Sequence, residues 1–232
     1  AWVWGDARNP TAPKQERRFL VKEFLLPSYW EHTYADKETG VRKYWKRDSR
    51  ADETCQLAYD NPDMVKSWDF IMGVLHADSS MCDGVGSYNW AFDSRAINNT
   101  NRKLNHEGII ESFGLTPFCI QDMYVRKVIN QNYFTFIDSL DEWEKSNYLS
   151  KSGKNLGYSA EVMARYVNKH TDYVESHTAL DDSKVEFELT RIFCNRYFDD
   201  FKKEFLGNPK GVSWKAVAER LSSAEKMRQR EA

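Results

Sequence analysis

Residues 183–207 read SKVEFELTRIFCNRYFDDFKKEFLG, and their pattern decides the fold. Val185, Leu189, Ile192, Phe193, Tyr197, Phe201 and Phe205 recur at spacings of three and four, which places one apolar stripe along a helix. Ser183 with Glu186 three residues later has the form of a capping box. In that motif the serine oxygen accepts a first-turn N–H and the glutamate reaches back to the cap. Gly207 suits the left-handed conformation that closes a helix, and Pro209 blocks continuation. A helix from Ser183 to Gly207 is expected, its stripe serving as packing surface for the others.

Further helices are expected on either side of it. Ser159 has the chemistry of an N-cap for a helix that turns Val162, Met163, Tyr166, Val167, His170 and Val174 inward. Another starts at Ser213, carries Trp214, Val217, Ala218 and Leu221, and runs into a charged end at 213–232. Between Leu104 and Tyr148 three helical pieces are expected. The first covers 104–113 and ends at Gly114. The second opens at Thr116-Pro117 and buries Phe118, Tyr124, Val125, Val128 and Ile129. The third buries Tyr133, Phe136, Ile137, Leu140 and Trp143. Asn61-Pro62-Asp63 opens one more, with a cap, proline at the first position and an acid in the first turn. Its inward face is Met64, Trp68, Ile71, Met72 and Leu75. Residues 150–158 form a polar internal loop. Residues 78–103 show no period and read as a long loop or arm, pinned by Trp90 and Phe92.

The N-terminal quarter differs. Residues 1–13 hold two prolines and a glycine, so they read as an extended arm whose Trp2 and Trp4 lie against the chain's own domain or a neighbour. Lys14 to Leu26 is expected to be a short helix ended by Pro27. Aromatic and β-branched residues then flank the turn-forming run Asp36-Lys37-Glu38-Thr39-Gly40, which predicts a β-hairpin. Leu26-Pro27, Trp30-Glu31, Gly40, Tyr44 and the polar run Arg47-Asp48-Ser49-Arg50 give this segment a form that resembles the start of a WW module. The resemblance implies a third strand turning at 47–50. The tryptophan that would build the proline-binding groove falls near Thr54 and is absent, and a plain aromatic hairpin or irregular loop fits the same residues. The expected architecture is mainly α, with about seven helices, one small N-terminal β-hairpin and long aromatic-containing loops. Its divisions are the arm 1–13, a helix-plus-hairpin region 14–60 and a helical region 61–232.

Composition narrows the function. The net charge is −2, from 33 basic and 35 acidic residues that are well mixed. That balance lacks the basic field of a nucleic-acid binder. No apolar run approaches the roughly 18 residues of a transmembrane helix. Cys55, Cys82, Cys119 and Cys194 are too widely spaced for a zinc or redox motif, so free thiols in a reducing compartment are expected. The Asn98-Asn99-Thr100 triplet matches a glycosylation acceptor, with no signal peptide beside it to support secretion.

Catalytic templates fail one after another. Ser152-Gly153-Lys154 lacks a phosphate-loop frame, Gly84-Val85-Gly86 lacks the third glycine of a dinucleotide site, and GxSxG and HExxH are absent. His170 and His177 lie seven apart and would share a helix face, but no third ligand stands at fixed spacing. Asp181-Asp182 and Asp199-Asp200 have structural explanations, the first at a helix N-terminus and the second beside Lys202 and Lys203.

The eight tryptophans and an aromatic share of 14% leave aromatic contact as the strongest functional signal, because such side chains anchor interfaces. The expectation is therefore a non-enzymatic accessory or scaffolding subunit of a multiprotein assembly, with no catalytic residue, cofactor or metal. Trp2, Trp4, Trp30, Tyr44, Trp45, Trp90 and Phe92 are the candidate partner-binding residues. A methionine-free start at Ala1, basic residues soon after it and reduced cysteines suggest a mitochondrial energy-converting complex, of respiratory-chain or ATP-synthase type, joined peripherally. A cytoplasmic setting is the alternative. Two other readings remain: an enzyme with a site gathered around His170 and residues 78–103, and a single-stranded nucleic-acid binder using Arg42, Lys43, Lys46, Arg47 and Arg50 with Tyr44 and Trp45.

Overall fold

The long C-terminal helix is present and central. The computed structural model describes residues 1–9, 11–25, 34–35, 42–43, 48–104, 114, 116–149, 156–176 and 178–209. Among these the architecture is mainly α, with eight α-helices and four two-stranded β-pairings. The helices are α1 (Asp48–Asp60), α2 (Trp68–Ser79), α3 (Trp90–Lys103), α4 (Ile120–Met123), α5 (Gln131–Asp138), α6 (Glu142–Ser146), α7 (Ala160–Asn168) and α8 (Ala179–Asp200). The strands are β1 (Trp2–Trp4), β2 (Gln15–Arg17), β3 (Leu20–Val21), β4 (Tyr34–Ala35), β5 (Arg42–Lys43), β6 (Val65–Lys66), β7 (Val85–Ser87) and β8 (Pro117–Cys119).

Helix α8 begins five residues earlier than the capping-box pattern implies. Thr178 is the N-cap, its hydroxyl accepting the Asp181 N–H at 3.3 Å, and Asp181 adds negative charge where the helix dipole favours it. Ser183 lies inside the helix and donates its hydroxyl back to the Ala179 carbonyl at 2.7 Å. The Ser-x-x-Glu spacing fits one helical turn anywhere along a helix, so it does not fix a start by itself. Leu189, Phe193, Phe201 and Phe205 are buried on the expected stripe. The helix kinks at Tyr197 (φ −135°, ψ 39°) and ends in a wider π-helical turn over Phe201–Phe205. Gly207 closes it at φ +79°, as its position suggested, and its N–H donates to the Pro117 carbonyl on β8 at 2.9 Å.

The main core gathers around this stripe. Phe118, Met123, Tyr124, Tyr133, Ile137, Tyr148 and Met163 pack with Leu189, Phe193 and Phe205. Tyr124 is fully buried, and its hydroxyl donates to the Leu189 carbonyl at 2.8 Å, which removes the cost of an unpaired polar group. Ser159 caps α7 as expected, accepting from Val162 N–H. That helix stops at Asn168, however, and Lys169 takes the left-handed conformation at φ 54°. His170 therefore lies beyond the helix, and Val174 is exposed rather than inward.

Other sequence expectations are corrected. Residues 117–129, read as one helix, begin as strand β8, continue through α4 and end in a second π turn, Tyr124–Val128, closed by Ile129 N–H donating to the Tyr124 carbonyl. Pro117 lacks the N–H that a ladder or helix interior needs and sits at the strand's first residue. The expected third piece divides into α5 and α6, and Trp143 on α6 is 67% exposed. Of the helix expected over Lys14 to Leu26, the described residues form β2, β3 and a single 3-10 turn (Lys22–Leu25) instead. Asn61-Pro62-Asp63 opens a 3-10 turn only; Ser67 is the true cap of α2, accepting from Phe70 N–H.

Residues 78–103 are no loop. They contain β7 and the fourteen-residue α3, whose inner face is Trp90, Ser94, Ile97 and Asn101. Gly86 in β7 lies opposite Phe118 in β8, close against its ring. The predicted hairpin forms, Tyr34 opposite Lys43 and Ala35 opposite Arg42. Helix α1 comes after it in the chain, so Asp48-Ser49-Arg50 and Thr54 are helical and the third strand of a WW module is not formed. The expected helical pieces 104–113 and 213–232 and most of the loop 150–158 lie outside the described residues.

Candidate functional site

The N-terminal arm is a strand against its own domain. β1 pairs antiparallel with β2, Trp2 opposite Arg17 and Trp4 opposite Gln15, and the pair packs along α8. Lys184 meets Glu16 at 3.1 Å and Lys14 meets Glu188, so charges on the hairpin and the helix alternate in sign.

Trp2 and Trp4 have separate tasks. The Trp2 indole N–H donates to Asp78 Oδ2 at 2.9 Å, and Arg17 Nε lies 3.4 Å from the same oxygen. Asp78 is buried at the end of α2, so these two donors bind the arm to that helix. Trp4 lies under the Arg17 guanidinium, 5.2 Å from ring centroid to carbon, a cation–π contact.

From Trp2 an aromatic row leads outward. Its ring is 5.6 Å from Phe19, and Phe19 meets Phe70 edge-on at 6.0 Å. Phe70 is 49% exposed, and Lys66 Nζ stands 5.8 Å from its centroid. The inner end rests on the cluster Trp68, Ile71 and Met72. Trp68 is fixed by its own indole N–H, which donates to buried Asn101 at 2.6 Å. The row is thus braced from behind and open in front.

The remaining candidates scatter. Trp90 is buried with Cys119 and half-buried Val85 and Ile97, filling the interior beneath β7. Phe92 on the same helix is 55% exposed. Trp30, Tyr44 and Trp45 lie outside the described residues. The structure therefore joins Trp2 to Phe19 and Phe70, which the sequence did not single out, and separates Trp90 from the surface. Phe70 falls within an apolar run, where sequence alone gives no sign of which side faces water.

A cleft of about 270 Å³ has Val185, Leu189 and Ile192 on its floor and His170, Lys184 and Glu188 at its rim. Among the described residues, His170 and the segment 78–103 do not share this cleft. Each polar rim group already has a partner: His170 Nε2 lies 3.0 Å from Asp172, Lys184 pairs with Glu16, and Glu188 pairs with Arg191 at 2.6 Å. His177 lies outside the described residues. Glu186 is the most perturbed carboxyl. Burial, then the charge of Asp93 and those of Asp182 and Glu175, push it up to about 8 against the opposing Tyr88 N–H. Burial also raises Asp93. Neither carboxyl lines this cleft. Among the described residues no group of three His, Cys, Asp or Glu could hold a metal ion, no helix is long and apolar enough to cross a membrane, and the four cysteines are free thiols.

Comparisons with protein-family models, with curated proteins and with solved structures return no match. The side-chain geometry is thus the ground for a functional reading.

Proposed function

We propose that the chain is a non-enzymatic accessory or scaffolding subunit of a larger protein assembly, docking through aromatic side chains. The observation that carries this reading is the row Trp2–Phe19–Phe70, anchored inside and open at Phe70. Rigid aromatic surface with a cationic edge gives large contact area for little loss of side-chain freedom, which is how interface anchors work. The alternation of charge that zips the arm to α8 holds this row in place before any partner arrives. Pre-ordering of that kind lowers the cost of association.

The test uses tagged full-length chain in its source extract, separated on a native gel and by sedimentation. Wild type is expected to migrate in a complex well above the free chain. Phe70→Asp is expected to release it. That substitution puts an acid in the first turn of α2, where the dipole favours it, so the fold is retained and an unchanged melting temperature confirms this. Wild type migrating as a free monomer sinks the proposal, as does a Phe70→Asp variant that is folded and still assembled.

A further inference from the structure

The kink in α8 opens onto a second, smaller cavity of about 80 Å³. Its floor includes Val128 and Ile192, and Arg196, Asn132, Tyr166 and Tyr197 also line it. Arg196 makes no ion pair among the described residues. Asp200, one turn on from it, is engaged with Lys127 at 3.1 Å. Lys169 stands close by on the other side of Tyr166, its ammonium 3.9 Å from the Phe136 centroid and 4.1 Å from that of Tyr166. It too has no carboxylate partner among the described residues. Burial, and after it the charge of Arg196, lower the affinity of Lys169 for its proton. Arg196 on the cavity wall and Lys169 nearby thus differ from Arg126, Lys127, Arg165, Lys184 and Arg191, each of which holds a carboxylate.

We propose that this cavity binds a small organic carboxylate, with Arg196 as its principal ligand. A guanidinium offers two parallel N–H donors to the two oxygens of a carboxylate. The Asn132 amide and the hydroxyls of Tyr166 and Tyr197 supply neutral donors around them. Val128 and Ile192 give a short alkyl chain an apolar rest, whereas a phosphate would face them with charged oxygen and lose hydration without return. The cavity's volume suits an acid of a few heavy atoms. Lys169 contributes to the local potential and makes no direct contact. The break at Tyr197 is what creates the space, since a straight α8 would continue its side-chain rows across it.

The probe is propionate, titrated into isotope-labelled full-length chain at constant ionic strength with chloride as the balancing anion, while backbone amide shifts are followed. Saturable shifts are expected at Asn132 and between Ile192 and Phe198. Arg196→Gln, an exposed position that the fold tolerates, is expected to weaken binding by about tenfold or more, the scale of one lost charge-assisted hydrogen bond. Lys169→Gln is expected to weaken it by only about two- to fivefold, because a charge at a distance is screened. Shifts that rise in proportion to added propionate without saturating overturn the proposal. So does an Arg196→Gln variant that binds as wild type does. Inorganic phosphate binding as tightly as propionate overturns the carboxylate assignment, since the apolar floor would then select nothing.

Discussion

Replacing Glu186 by glutamine tests the electrostatics of α8. Its carboxyl is pushed from an ordinary value of 4.5 to about 8, mainly by burial and secondarily by Asp93. Between those two values the folded state keeps a proton that the unfolded chain has released, so stability falls as pH rises. The slope is roughly 1.4 kcal/mol per pH unit for one such group. Over the whole interval that sets a ceiling of about 5 kcal/mol. Solvent reaches part of the side chain, and we expect about 2–3 kcal/mol. The penalty is absent below about pH 4.5 and complete above about pH 8. Glutamine keeps the shape and cannot ionise. Urea unfolding at matched ionic strength should therefore give nearly equal stabilities for wild type and Glu186→Gln at about pH 5, and a variant more stable by about 2–3 kcal/mol at about pH 9. Two stability curves that stay parallel across that range would show that Glu186 ionises as freely in the fold as in water.

Three further perturbations probe packing and capping. Gly86→Ala sets a methyl against the Phe118 ring, whose third-nearest atom would be only 2.6 Å away, and that ring is held edge-on by Phe201 at 5.0 Å. A loss of about 1–3 kcal/mol is expected in chemical denaturation, partly restored by Phe118→Leu in the same chain; a neutral Gly86→Ala would mean that the β7–β8 contact is looser than described. Thr178→Ala should cost about 1 kcal/mol by removing the α8 cap, whereas Ser183→Ala, inside the helix, should stay within about 0.5 kcal/mol; the reverse order would return the helix start to Ser183. Trp2→Phe keeps the ring and removes the indole N–H given to buried Asp78, so a loss of about 1–3 kcal/mol and faster hydrogen exchange in β1 and β2 are expected. Unchanged exchange there would show that the arm is held without that bond.

How far the fold could be read depended on whether hydropathy carried the pattern. The α8 stripe and the Ser159 cap are carried by large apolar residues and a hydroxyl at a fixed offset, and both were legible. Helix α3 was not, because half its inner face is polar. Its inward positions fall at Trp90, Ser94, half-buried Ile97 and Asn101, with correct helical spacing, but Asn101 is interior with its amide oxygen accepting from Trp68 on another helix. No scan of one segment contains that information. Strands of two or three residues are too short to show a period, and β3 finds its parallel partner β6 forty-odd residues away. The candidate site was half legible for the same reason. Trp2 and Trp4 announced themselves as costly to leave in water, yet the surface they rest on is set by Asp78, Arg17 and Phe19, and the open end at Phe70 only by folding.

The pairing of β1 with the flank of α8 also governs the order in which the chain can mature. Ribosomes add about 5–20 residues per second, so the tryptophans of the arm emerge roughly 10–35 s before the helix that covers them. During that interval Trp2 and Trp4 are apolar surface without a roof, the condition in which nascent chains recruit chaperones or adhere to one another. The contact between β1 and α8 spans about 180 residues of chain, and until the last of them is made Trp2 and Trp4 stay uncovered.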